Sequence, residues 1–555
     1  MDTQIERTQL QVPERNLKTL TFCSADAQSL NQWLQALPRT NLPDCAKKLG
    51  FALKELAKLN MTSKELFGLV ELIRPVVYFI THQINRNELT EGIVHSEQQI
   101  SLLGKCQQLH LLLFSCYKSV VDIHIKNSDD SALMAAPVHR AIAESHSLLL
   151  LMQEHYREMP ATVWLDTHKL VHIAGENDML QCSFDDPLTA KARELTIIDQ
   201  YKRMLLLSHC RSNQLHQSEI RQVNKALCLW APHGRLLDQP DQNCWFMVNT
   251  LSDEGLHHTL TETSNEHPGL KGMDTRVLSA HLKKVASSID ENKPATLSKN
   301  LVLHLASAWG ALTQRQHIRH EGSESCSFAY GSSASHYYLS DKQTFDDLVK
   351  KHSDSHKSGK SGFIPDKSDI WEDVHDVDQE TGASEDKASL DFEATPTGSP
   401  LYPCFSGKVL NTSAGGYCLQ VRANPDITLV PGELIAVQEG TQTNWILASA
   451  RWVHSIDDNN IMLGAQLLSA NTKPCAITPL KKTRDASHYQ RAFLQPAMPA
   501  LNSQATLITP RIPFTAGMKF ILLEGGKIIK GQLLECIEST PSYSQYQFRF
   551  LDSSL

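Results

Sequence analysis

Residues 444–469 read NWILASARWVHSIDDNNIMLGAQLLS, and this stretch sets the architecture of the C-terminal half. Ile446, Ala448, Ala450 and Trp452 recur every second position, the period of a strand with one buried face. Asp457-Asp458-Asn459-Asn460 is a strong turn, and Ile461 to Leu468 reads as the returning strand. Working outward, Pro431-Gly432 marks another turn before a strand at Leu434 to Gln438. Phe405 to Leu410 and Tyr417 to Val421 flank the run NTSAGG at 411–416. Ser327 to Leu339 reads as a further strand. Short strands joined by tight polar turns favour a small antiparallel barrel. Past Thr472 comes a polar connector. Four more strands follow at Ala505–Ile508, Met518–Leu523, Ile528–Glu535 and Tyr546–Leu551, with Glu524-Gly525-Gly526 as a hairpin turn. They are either a second small β-domain or strands added to the first.

The first 310 residues have a different period. Leu66, Leu69, Val70, Ile73, Val77 and Ile80 form one helical stripe, opened by the capping-box pair Thr62 and Glu65. Pro75 inside it predicts a kink. Leu102, Cys106, Leu109, Leu113, Cys116 and Val120 form a second stripe. Leu195, Ile198, Tyr201, Leu205 and Cys210 form a third. Ile220, Val223, Leu227 and Trp230 form a fourth, stopped by Pro232 and Gly234. Short connections predict an all-α bundle or irregular solenoid, a body suited to binding a protein partner. Cys244 to Val248, CWFMV, is the exception and reads as a strand or hairpin.

The chain has 555 residues, a net charge of −8 and 41% hydrophobic residues. That supports several packed domains and argues against a broad nucleic-acid-binding surface. The 13 cysteines contain no C-x-x-C and read as reduced thiols. No apolar run approaches the ~20 residues of a membrane span, and the polar N-terminus lacks a signal-peptide core, so a cytoplasmic protein is expected. His168 with His172, and His257-His258, have spacings a metal could use. With 25 histidines in the chain such pairs arise by chance, and no metal is assigned. Nothing in the helical half combines a nucleophile with a base, so no enzyme activity is expected.

Between 341 and 400 the chain turns polar. After Gly362, eleven acids face Lys367 and Lys387. Such composition predicts a disordered insertion, with Ile370, Trp371 and Val374 as a candidate recognition helix. Gly359-Lys360-Ser361 imitates the end of a phosphate loop, but Asp354 stands where its first glycine belongs and no apolar strand precedes it. The expected domains are a helical domain at 1–310, an arm with the first barrel strand at 311–340, the acidic insertion at 341–400, the barrel core at 401–475 and a C-terminal β region at 476–555.

The site candidates lie around the barrel. Arg315 and Arg319, in RQHIR, are four positions apart. Guanidinium is planar, permanently charged, and able both to stack on a purine and to bond phosphate or guanine edges. Asn411 and Ser413 offer hydrogen bonds, while Gly415 and Gly416 allow close backbone approach.

This pattern resembles the PilZ domain family of bacterial cyclic di-GMP receptors. Arg315 and Arg319 match its RxxxR, and Asn411, Ser413 and Gly416 match its (D/N)xSxxG. Pro431-Gly432, Ala450-Arg451-Trp452 and Gly464 to Leu468 follow in the family's order. The resemblance implies a non-enzymatic cyclic di-GMP receptor with no cofactor. The arginines would contact base and phosphate, and the hairpin would hold the base. The alternative is a PilZ-like scaffold that has lost the nucleotide. The separation of 91 residues between Arg319 and Asn411 (411 − 319 − 1) exceeds the family's interval. An insertion within one barrel accounts for it, since loop-closure cost grows slowly with length.

Overall fold

The computed structural model describes residues 8–127, 134–189, 194–241, 243–258, 269–289, 297–311, 319–353, 401–424, 427–440, 442–469, 471–480, 488–497 and 504–551. The chain divides into two compact units. One is Met1–Gln314 with Asn424–Thr428, and the other is Arg315–Ala423 with Leu429–Leu555. Among the described residues no helix is long and apolar enough to cross a membrane.

The first unit is built on α1 (Ala27–Gln35), α2 (Leu42–Leu56), α3 (Ser63–Asn87), α4 (Glu97–Asn127), α5 (Ala135–Glu154), α6 (Val163–Glu176), α7 (Ile197–Ser208), α8 (Gln217–Trp230), α9 (Arg276–Ser288) and α10 (Lys299–Ala308). The α3 capping box forms as its sequence dictates. Thr62 Oγ1 accepts from the Glu65 N–H, and the Glu65 carboxylate accepts from the Thr62 N–H at 3.2 Å. The helix runs through Pro75, whose ring costs one main-chain hydrogen bond. Its predicted stripe is buried.

Behind that stripe lies an ion cluster. Arg74 Nε donates to Glu144 at 2.6 Å, and its terminal nitrogens donate to Asp186 at 3.0 and 2.8 Å. Burial alone would raise the Glu144 carboxyl, but the charges and hydrogen bonds of Arg74 and His110 hold it below the usual carboxylate range. His168 is a core histidine. Its Nε2 faces the Glu254 carbonyl at 3.0 Å and its Nδ1 faces the Tyr201 hydroxyl at 2.8 Å.

This unit also carries strands. β1 (Ser183–Phe184) pairs with β2 (Leu195–Thr196). The CWFMV run falls on β4 (Phe246–Asn249), in an antiparallel sheet with β3 (Arg235–Leu237), β5 (His257–His258) and β6 (Leu270–Asp274), ordered β3-β6-β4-β5.

The second unit holds two closed barrels. The first contains β7 (His320–Glu321), β8 (Ser325–Tyr330), β9 (Phe405–Ser413), β10 (Gly416–Arg422), β11 (Leu434–Glu439), β12 (Ile446–Ser455) and β13 (Asn460–Ser469). Its order is β10-β13-β12-β11-β8-β9, closed by β9 pairing with β10, while β7 adds to the β9 edge beside β8. Phe328, Leu419, Ile435 and Leu463 are fully buried inside.

Two expectations are corrected here. Ser327–Leu339 is not one strand. Gly331 takes φ +82°, and the chain turns into α11 (Ser332–Leu339). Within the expected acidic insertion, α12 (Phe345–Ser353) is helical. The rest of that tract, including Ile370, Trp371 and Val374, lies outside the described residues.

The C-terminal region is a complete barrel, β14-β15-β16-β19-β18-β17. Its strands are β14 (Lys473–Pro479), β15 (Gln490–Gln495), β16 (Thr506–Thr509), β17 (Lys519–Glu524), β18 (Lys527–Ser539) and β19 (Ser544–Phe550). The expected polar connector therefore includes two barrel strands. Leu434 and Leu447 of the first barrel share a core with Phe493, Ile508 and Tyr543 of the second.

Candidate nucleotide site

β9 ends at Ser413 and β10 begins at Gly416, with the two residues paired, so NTSAGG is a tight hairpin. Ser413 Oγ accepts from the Gly415 N–H at 3.3 Å and lies 3.4 Å from the Gly416 carbonyl. The Gly415 carbonyl accepts from the Leu467 N–H at 3.0 Å, which fastens the turn to β13. Gly416 has φ +154°, and a Cβ there would lie 2.0 Å from the Ala465 carbonyl oxygen. Only glycine permits this approach of β10 to β13.

The arm meets this hairpin. β7 pairs His320 with Thr412 and Glu321 with Asn411. Continuing that register by one residue sets exposed Arg319 opposite Ser413. Directly paired residues share a face of a sheet. Arg319, Ser413, Gly416 and Gln466 thus form one row across four chain segments. Glu321, Asn411, Cys418, Gly464 and Trp452 form the next row. The electrostatics agree with the register. Burial pushes the Cys418 thiol up, while the Arg319 charge and a hydrogen bond with the Asn411 side chain pull it back. Arg319 and Asn411 therefore act on one thiol despite the 91 residues between them. Arg315 lies outside the described residues.

Three families match in tandem. Residues 28–241 match the N-terminal domain of the cyclic-di-GMP receptor FimW, residues 245–474 its middle PilZ domain, and residues 475–551 its C-terminal β-barrel domain. The middle match assigns residues 245–474 to a PilZ domain. The chain is also similar to a protein of Pseudomonas aeruginosa named cyclic-di-GMP receptor FimW. The two are 27% identical over 576 residues, covering 99% of this chain and 94% of that protein. No solved structure matches the chain.

The PilZ signatures beyond the hairpin have structural reasons. A Cβ on Gly464 would fall 1.9 Å from Trp452 Nε1, so the glycine lets the indole lie flat across β13. This half-buried ring shares the row of Asn411 and Cys418 and offers a π face. Arg451 is the extra residue of a β-bulge, between Ala450 opposite Ala465 and Trp452 opposite Gly464. Its Nε donates to the Gln466 side chain and another of its nitrogens to Glu538 of the second barrel. Neither Gln466 nor Cys418 stood among the sequence candidates. Gln466 stands inside the Gly464 to Leu468 signature, but its place beside Gly416, like that of Cys418 beside Asn411, follows only from the strand pairing.

Proposed function

We propose that this chain is a non-enzymatic cyclic di-GMP receptor whose ligand sits on the NTSAGG hairpin beneath the arginine arm. Arg319 and Arg315 supply the guanidinium contacts to phosphate and guanine. Asn411 and Ser413 supply hydrogen bonds to the base, Gly415 and Gly416 leave room for it, and the Trp452 indole offers it a stacking surface. The observation that carries this reading is the strand that begins directly after Arg319 and pairs with the hairpin strand at Asn411 and Thr412, with the Arg319 charge felt at the Cys418 thiol that bonds Asn411. The similarity to a protein named as a cyclic di-GMP receptor supports the choice of ligand.

The same reading makes the protein cytoplasmic and gives the helical unit the task of engaging a protein partner. A ligand drives such coupling only by binding one arrangement of the protein better than another. Calorimetric titration of the full chain tests the ligand. We expect micromolar or tighter binding to cyclic di-GMP, lost or strongly weakened in Arg315→Ala and Arg319→Ala. A flat titration of the unmodified chain would leave the scaffold reading in its place.

A further inference from the structure

The C-terminal barrel reaches the edge of the nucleotide site through one ion pair. Gln466 lies opposite Gly416, one strand spacing of ~4.8 Å from it, on the face that carries Ser413 and Arg319. Gly416 has no side chain, so the row holds a gap with Ser413 on one side and Gln466 on the other. Above Gln466 stands the Arg451 guanidinium, lifted from the regular pleat by the bulge and bonded to the Gln466 amide. Its other end is held by Glu538, whose carboxylate also accepts from the Tyr543 hydroxyl at 3.3 Å. Tyr543 is buried in the core the two barrels share. Arg451 is 37% exposed and Glu538 22%, so the pair is open enough to exchange partners.

Resting on the receptor reading above, we propose that Arg451 is a further ligand cation of the nucleotide site, held by Glu538 until an anionic ligand seated over Gly416 competes for it. Ligand binding then trades the Arg451–Glu538 pair for an Arg451–phosphate pair and loosens one tie between the barrels. The exchange needs no large motion, because the guanidinium has five donors in a fixed fork and keeps Gln466 as a pivot. A partly exposed ion pair is weak, so its release changes affinity modestly, by about two- to fivefold.

The test is calorimetry of the full chain with cyclic di-GMP, alongside thermal unfolding without ligand. Glu538→Gln keeps the shape and the bond to Tyr543 but removes the charge. It is expected to bind about two- to fivefold more tightly while unfolding at a lower temperature. A purely structural role would lower the unfolding temperature without tightening binding. Arg451→Gln is expected to bind about tenfold more weakly, through loss of a charge-assisted bond. The double variant should bind like Arg451→Gln alone, because Glu538 acts through Arg451. If the unmodified chain binds and Glu538→Gln binds equally or more weakly, the exchange is overturned and the receptor reading stands. If the unmodified chain does not bind, both fall.

Discussion

Replacing Gly416 with alanine probes the hairpin at its tightest point. The added Cβ would sit 2.0 Å from the Ala465 carbonyl oxygen, against an ordinary contact of 3.4 Å. Relief requires β10 and β13 to separate by about 1.4 Å (3.4 − 2.0). The bond from the Leu467 N–H to the Gly415 carbonyl, 3.0 Å long, lies beside the strained contact and cannot survive that displacement. Its loss costs roughly 1 kcal/mol, and a side chain at positive φ costs about 1–3 kcal/mol more. Gly416→Ala should therefore lose about 2–4 kcal/mol in the transition of the two-barrel unit, read by chemical denaturation of the full chain. Cyclic di-GMP affinity should fall by at least about tenfold, since a shift of ~1 Å disrupts positioned contacts. An unchanged denaturation midpoint with unchanged affinity would show that β10 does not approach β13 as described.

Three further outcomes follow from the packing. Arg74→Ala leaves Glu144 and Asp186 buried without their shared cation and should cost the helical unit about 3–5 kcal/mol in denaturant unfolding. Phe493→Ala opens the core shared by Leu434, Leu447, Ile508 and Tyr543. It should cost about 3–5 kcal/mol, with amide exchange accelerating in β12 and β16 together. Glu433 is buried, and that burial pushes its carboxyl up to about 8, against a smaller pull from the Val430 N–H. From its unfolded value of about 4.3 up to about 8, the folded chain keeps a proton that the unfolded chain has released. Stability should fall as pH rises through that window, by at most about 1.4 kcal/mol per pH unit. Glu433→Gln should flatten the pH profile of unfolding.

The sequence carried the local features well. Thr62 and Glu65 predicted their capping box because both partners sit within one turn. NTSAGG predicted its hairpin because the turn is short and glycine-rich. Ser327–Leu339 misled because its aromatic and small residues suit a strand, while the break depends on Gly331 taking φ +82°. β14 and β15 went unread. Lys473-Pro474 masks the start of one, and the strands are held by partners such as β17, about fifty residues on. The meeting of Arg319 with Ser413 was implied by the family resemblance alone, since nothing local spans the acidic tract. The Arg451–Glu538 tie is tertiary and left no trace in the spacing.

The central claim is that the arm and the hairpin hold one ligand together. A double-mutant cycle of Arg319→Ala and Asn411→Ala, read as cyclic di-GMP affinity by calorimetry, addresses it directly. Residues engaged on one ligand should couple by about 0.5–3 kcal/mol, so the double variant falls short of, or overshoots, the sum of the single losses. Two losses that add within about 0.5 kcal/mol, or single variants that bind as the unmodified chain does, would contradict a shared site.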